Sequence, residues 1–420
     1  KPLENTVNTL KLRASYGSLG NQNIDNWYQT YSTVDYKSVS GTWLQGGKKT
    51  NITAAPGLVS AALGWEKVES YDVGLDWGAF NNRLTGSFDY YVRNTKDMVG
   101  PAPELPALLG TDVPKTNNTD LRTTGWELQI GWRDHLENGL NYGVTFNVSD
   151  AQAKVTRYPN NPTGSLSSYI ENRKVGEIWG YETIGIAKTN DEMNQHLATL
   201  PNGGQSQLGD KWAAGDIMYK DLDGDGKISN GSNTLADHGD LKVIGNKTPR
   251  YLFGLDLPAS WKGFDFRAFM QGVMKRDYSD AKEFLFGTTD SGVWWAAGIT
   301  GVQDYFRDSE TWSVKNGYES ENLKAYLPRP QYSGKNIQTQ TRYLLNAAYL
   351  RMKNLQIGYT LPQSLVSKAG LGNVRFFVSA ENLFTITDLP SQFDPETIDT
   401  DYGNGYPLSR TFSFGVNVTL

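Results

Sequence analysis

The 420-residue sequence has no cysteine and only three histidines. Without thiols there is no disulfide framework and no thiolate chemistry, though this says nothing about compartment. The histidines, His135, His196 and His238, are scattered along the chain, so neither a zinc centre nor a histidine-dependent nucleophile triad is supported. Long apolar runs are missing too. No window holds about 18 consecutive apolar residues, which excludes membrane-spanning helices and leaves a closed β-barrel as the one architecture that could cross a bilayer. Strong charge of either sign is also absent. The formal net charge is −5, and the pair Lys48-Lys49 is too small a basic patch for a nucleic-acid interface. Lys1 stands inside what already reads as folded sequence, with no charged segment and apolar stretch of a secretion signal before it, so the start of the protein is expected to lie elsewhere.

A mean hydropathy of −0.51 suits a soluble acidic protein. It suits a membrane barrel equally well, because a barrel alternates lipid-facing apolar residues with polar lumen-facing ones and its average stays low. Aromatic residues make up 12% of the chain, as expected for interfacial girdles or for a carbohydrate-binding β-protein.

Period-two alternation dominates. At the C-terminus Phe412, Phe414, Val416, Val418 and Leu420 alternate with Ser413, Gly415, Asn417 and Thr419. Trp126, Leu128, Ile130 and Trp132 alternate with Glu127, Gln129 and Gly131, and Tyr142, Val144, Phe146 and Val148 with Thr145, Asn147 and Ser149. Alternation alone fits a soluble sandwich with its apolar face inward or a barrel with that face toward lipid. Loop lengths separate the two. Strands are expected near 7–17, 66–78, 84–93, 123–133, 139–150, 250–257, 263–272, 346–359, 373–383 and 410–420, giving connections of roughly 48, 5, 29, 5, 99, 5, 73, 13 and 26 residues. Long and short alternate throughout, as extracellular loops and periplasmic turns do. The fold class expected is therefore all-β, a transmembrane antiparallel β-barrel with long extracellular loops, notably 151–249 and 273–345.

Particular stretches carry a family likeness: Tyr71-Asp72-Val73-Gly74-Leu75-Asp76, Thr124-Gly125-Trp126-Glu127, the run Asn346 to Tyr359, Ala380-Glu381-Asn382-Leu383-Phe384-Thr385, Phe393-Asp394-Pro395-Glu396 and Tyr406-Pro407-Leu408. In their order and spacing the whole chain resembles the C-terminal half of the SusC/RagA-type TonB-dependent outer-membrane transporters of the Bacteroidota. The resemblance implies about ten C-terminal strands of a 22-stranded barrel in the outer membrane of a Gram-negative bacterium. It also implies an N-terminal half of the same transporter (plug and remaining strands), TonB acting through that half, a SusD-like surface lipoprotein as lid, and active import of a bulky nutrient, a glycan oligomer or a peptide. Terminal Leu420 departs from the family's usual Phe. A passive structural or adhesive barrel is the alternative. An enzyme is not expected, since no carboxylate pair stands out among 45 acidic residues.

The sharpest local motif is Asp221-Leu222-Asp223-Gly224-Asp225-Gly226-Lys227-Ile228-Ser229, which matches the first nine positions of an EF-hand-type calcium loop. Asp221, Asp223 and Asp225 supply hard oxygens, and Lys227 a backbone carbonyl. The twelfth position is Ser232 rather than glutamate; by family resemblance Asp240 is the closing ligand. A structural Ca²⁺ is expected, against the alternative of a solvated acidic turn. Trp294, Trp295 and Trp312 lie in the second long loop and could stack on sugar, meet the lid, or pack the loop onto itself.

Overall fold

The computed structural model describes residues 6–22, 31–34, 36–38, 44–53, 56–60, 63–102, 113–279, 303–331, 333–400 and 405–420. Ten long strands form one antiparallel meander: β1 (Val7–Asn21), β2 (Glu66–Ala79), β3 (Leu84–Pro101), β4 (Lys115–His135), β5 (Asn141–Arg157), β6 (Arg250–Trp261), β7 (Phe264–Lys275), β8 (Tyr349–Thr360), β9 (Asn373–Glu381) and β10 (Thr411–Thr419). Each pairs with its neighbours in sequence order, and the short strand Thr385–Thr387 adds to the outer part of β8. No helix among the described residues is long and apolar enough to cross a membrane.

Pairing sets which side chains share a face, because directly opposed residues point the same way. One rung runs Leu12, Leu75, Phe88, Leu128, Val148, Phe253, Gly272, Leu350 across eight strands. The adjacent rung runs Lys11, Asp76, Ser87, Gln129, Asn147, Gly254, Gln271, Arg351. Apolar and polar rungs thus lie on opposite faces of one continuous sheet. Among the described residues no second layer covers the apolar face: Leu12, Val73 and Phe414 are 75%, 53% and 81% exposed. The polar face is cross-linked within itself, as where Arg13 bridges Asp76 and Asp89, at 2.8 Å each.

Turns at one end are tight. Phe80, Asn81 and Asn82 all adopt positive φ, and the two-residue Lys262-Gly263 connection (φ 47° and 88°) has the left-handed backbone that matches strand twist in a hairpin. The 361–372 connection holds a helical turn, Gln363–Val366. All long connections fall at the other end.

Several strands run further than alternation predicts. β3 reaches Pro101 rather than 93 and β4 starts at Lys115 rather than 123. In these extensions polar residues such as Asn117, Asn118 and Thr119 occupy both faces, so hydrophobic alternation lapses while backbone pairing continues. Arg157 fastens the extension, reaching Asp97 and Asp120 at 2.8 Å each.

Candidate functional site

The two longest loops fold together. Tyr181, Leu200, Ile217, Tyr219, Ile228 and Leu241 of the β5–β6 loop share one apolar core with Leu327, Ile337 and Tyr343 of the β7–β8 loop. Within the first, helix Asn190–Ala198 begins with a reciprocal cap: Thr189 Oγ accepts from the Glu192 amide (3.1 Å), and the Glu192 carboxylate from the Lys188 amide (2.7 Å). Met193 on this helix is fully buried.

A polar hub joins the loops at Asp216, which has no solvent exposure. It accepts from Arg329 (2.8 and 2.7 Å), Gln331 (2.7 Å), Asn336 (3.0 Å), Lys335 (2.9 Å) and the Ala213 amide (2.9 Å). Lys335, also buried, donates further to the carbonyls of Asp210 (2.8 Å) and Lys211 (3.0 Å). Burial raises the Asp216 carboxyl, but donors from Arg329, Asn336 and Lys335 outweigh it and hold it below the usual carboxylate range. The Tyr219 hydroxyl donates to the Lys335 carbonyl (2.7 Å), and burial pushes it well above the usual tyrosine range. Nothing in the sequence marks this hub, since Asp216 and its side-chain partners are 113 to 120 residues apart.

The acidic loop sits on the same body. Asp221, Asp223 and Asp225 each offer an oxygen within 4.8 Å of the other two. Asp221 accepts from the amides of Gly224 (2.6 Å) and Gly226 (3.0 Å), Asp223 from Asp225 (3.0 Å), and Asp225 from Lys227 (3.0 Å). Gly226 has φ 78°, and a Cβ there would press on Asn202 at 3.0 Å and Pro201 at 3.2 Å. Asp240 is wholly buried and accepts from the amides of Leu222 (2.6 Å) and Ser229 (2.8 Å), holding both sides of the loop. No Lys or Arg among the described residues pairs with it. Burial above all, with the charges of Asp223 and Asp221 adding, pushes its carboxyl up. Lys227 contributes its ammonium to Asp225 at 3.1 Å. Three converging carboxylates, hard oxygen donors and a glycine at the sharp turn suit a calcium ion chemically.

Trp312 opens the short helix Trp312–Lys315 and is 70% exposed, its ring stacked on that of Tyr318 at 5.4 Å between centroids. Trp294 and Trp295 lie outside the described residues.

The last long loop folds over the polar face. Arg351, buried on the polar rung, meets Asp394 at 2.8 Å and Glu396 at 3.0 Å, Lys353 meets Glu396 at 3.1 Å, and Arg276 pairs with Asp399. Leu389, Phe393 and Ile398 of this loop pack with Tyr278, Leu345 and Ala347. The Phe-Asp-Pro-Glu stretch singled out in the sequence is thus an anchor at the mouth of the sheet.

No family model matches the chain. Along 99% of its length it is 30% identical over 439 residues to TonB-dependent receptor P3 of Formosa agariphila, and it is 24% identical over 434 residues to TonB-dependent receptor SusC of Bacteroides thetaiotaomicron. The chain spans 40% and 38% of those two relatives. Among solved structures, the transporter in "Structure of the RagAB peptide transporter" superposes with a TM-score of 0.71 at 24% identity, covering 99% of this chain and 41% of that one. The chain therefore resembles SusC/RagA-type TonB-dependent receptors over its whole length, and its ten strands have the fold of part of such a barrel.

Proposed function

We propose, from the premise that this chain is a stretch of a SusC/RagA-type TonB-dependent transporter, that it forms part of an energised importer in the outer membrane of a Gram-negative bacterium. The observation that carries this reading is the division of the sheet into two faces, one apolar with residues such as Leu12, Val73 and Phe414 in the open, the other polar and cross-linked. A sheet with that inversion is suited to lipid outside and water or protein inside. Its two open edges need further strands to satisfy their backbone groups within lipid, and the remaining strands and plug of the same transporter would supply them. TonB would act through the plug, and the protein is a transporter rather than an enzyme.

The joined loop body would form the outer vestibule and carry the docking surface for a SusD-like lipoprotein lid. Its rigidity supports this role: a shared core and a buried ionic hub make two loops move as one. Trp312, exposed on its rim, is a proposed contact for lid or substrate, and Trp294 and Trp295 of the same loop are proposed alongside it. The cargo is a bulky nutrient, a glycan oligomer in preference to a peptide.

A structural Ca²⁺ is part of the proposal. Asp221, Asp223 and Asp225 would hold it, with the Lys227 carbonyl and the Asp240 carboxylate as further oxygens. Bound calcium supplies positive charge that relieves repulsion among these carboxylates and fixes the loop.

The experiment is uptake of a labelled oligosaccharide by cells expressing the full-length transporter, with and without functional TonB. Uptake should vanish without TonB. Equal uptake in both strains would identify a passive barrel instead.

A further inference from the structure

We propose that the cleft where the outer end of β5 meets residues 158–179 is a binding subsite for oligosaccharides bearing carboxylate or sulfate groups. The inference rests on the import reading above and gives its cargo a chemical class. The cleft encloses about 380 Å³, and Tyr158, Tyr169, Arg173, Lys174, Trp179 and Lys247 line it. That volume lies within the range of small-molecule sites, roughly 300–1,000 Å³.

Its position follows from register. Val155, on the cleft floor and 1% exposed, is six residues beyond Ser149 on β5, with unbroken pairing to β4 between them. The even spacing puts it on the same face as Ser149 and Asn147, the polar face, and about 20 Å further out along the strand. The cleft therefore belongs to the polar face, at the end that carries the long loops, where a solute moving along that face would pass it.

Its chemistry has two parts. Aromatic surface comes first: Tyr158 and Tyr169 meet edge to face at 5.6 Å, leaving Tyr169 50% exposed, and the Trp179 indole forms a further wall. An exposed ring such as Tyr169 stacks on the apolar face of a sugar while its polar tip stays hydrated. Charge comes second. Arg173 is spoken for, paired with Glu177 at 2.7 Å and lying over Trp179 at 5.3 Å. Lys174 and Lys247 are exposed, and neither ammonium meets a carboxylate among the described residues. Two uncommitted cations beside aromatic faces suit a sugar with anionic substituents.

A peptide fits less well. Extended peptides are caught by backbone hydrogen bonds on a free strand edge. Here the backbone edge beside the cleft is taken: the Val155 amide donates to Arg173 O (3.0 Å), Asn172 to Val155 O (2.8 Å) and Val175 to Ala153 O (2.9 Å).

The test is calorimetric titration of the full-length transporter in mild detergent with an oligouronate, a sulfated oligosaccharide, a neutral oligosaccharide of equal length and an acidic peptide. At least one anionic sugar should bind, more weakly as salt rises, and the better binder names the substituent. The double variant Lys174→Gln/Lys247→Gln should bind that sugar roughly tenfold more weakly with an unchanged melting temperature, as expected for two exposed charge contacts. Tyr169→Ala should weaken it independently of salt. The proposal is overturned if the neutral sugar or the acidic peptide binds as tightly as the anionic sugars, if neither anionic sugar binds, or if the lysine variant binds normally. Because binding is read without an energised membrane, loss of import with intact binding would count against the transport reading alone, and intact import without binding against this subsite alone.

Discussion

In the ten-stranded sheet apolar side chains such as Leu12, Val73 and Phe414 stay in the open, whereas in the joined loops Ile217, Tyr219, Ile228 and Leu327 have no exposure at all. The same residue types therefore do opposite things a few tens of ångströms apart. The sheet gathers its polar groups on one face and leaves apolar side chains open on the other; the loop body buries its hydrophobic surface as a water-soluble domain does. The two regions thus draw their stability from different sources: the joined loops from burial and the ionic hub at Asp216, the sheet from backbone pairing that, on the proposed reading, lipid completes.

Asp216 offers the largest expected effect. Asp216→Ala removes the carboxylate that Lys335 and Arg329 share and leaves a buried ammonium unpaired, at a cost of about 3–5 kcal/mol. The loops should become protease-sensitive while the strands stay inserted and heat-resistant in detergent. Coupled loss of both would show that the regions are one cooperative unit.

Next come paired substitutions on one strand. Leu128→Arg on the apolar face should cost about 2–4 kcal/mol of folding free energy in bilayers, whereas Gln129→Arg on the polar face should cost little. Equal costs in reconstituted refolding would erase the distinction between faces.

The proposed calcium and two buried loop carboxyls give the next contrast. With calcium at about a hundredfold above its dissociation constant, removal by chelator should lower loop stability by about 2.7 kcal/mol. The Asp240 carboxyl, raised in the folded state, prefers its proton there; without metal the loop should gain stability as pH falls from neutral toward the ordinary aspartate value of 3.8. Asp216 has the opposite sign, its depressed carboxyl giving stability that is complete above 3.8 and lost as pH falls through its lower folded value. Thermal melts of Asp240→Asn should lack the first gain and keep the second loss. Asp223→Ala should abolish the response to chelator without affecting insertion of the strands.

The smallest effect belongs to Trp312. Its exposure means Trp312→Ala should shift loop melting by no more than about 0.5 kcal/mol. Any larger change should appear only in lid binding, measured by pull-down of the lipoprotein.

The strands were legible because period-two alternation is a local signal. Phe412, Phe414, Val416 and Val418 mark β10 almost to the residue, and the alternation of long and short connections foretold which end carries the loops. The outer extensions of β3 and β4 were not legible, since polar residues such as Lys96 and Asn117 interrupt the alternation there, and what holds them, Lys96 on Glu69 and Asn117 on the Gly64 and Asp97 carbonyls besides the backbone pairing, has no sequence period. The Asp221 to Ser229 loop could be read because its geometry is set by residues within nine positions, and the structure does draw its three aspartates together. The co-folding of two loops could not be read: Ile217 and Leu327 carry no periodicity that pairs them, and Asp216 finds its cations only after both loops have formed.

On the proposed reading, sheet and loops face different solvents, with the loop body outside the cell. These 420 residues hold no cysteine, so single cysteines introduced among them can be labelled on intact cells against the unsubstituted transporter as background. A thiol introduced at exposed Ser232, beside the acidic loop, should react with a membrane-impermeant maleimide, while thiols at Asn82 and Asn138 in the tight turns should react only after the outer membrane is permeabilised. Labelling at Asn82 and Asn138 with protection at Ser232 would contradict the orientation of every loop and the proposed place of the vestibule.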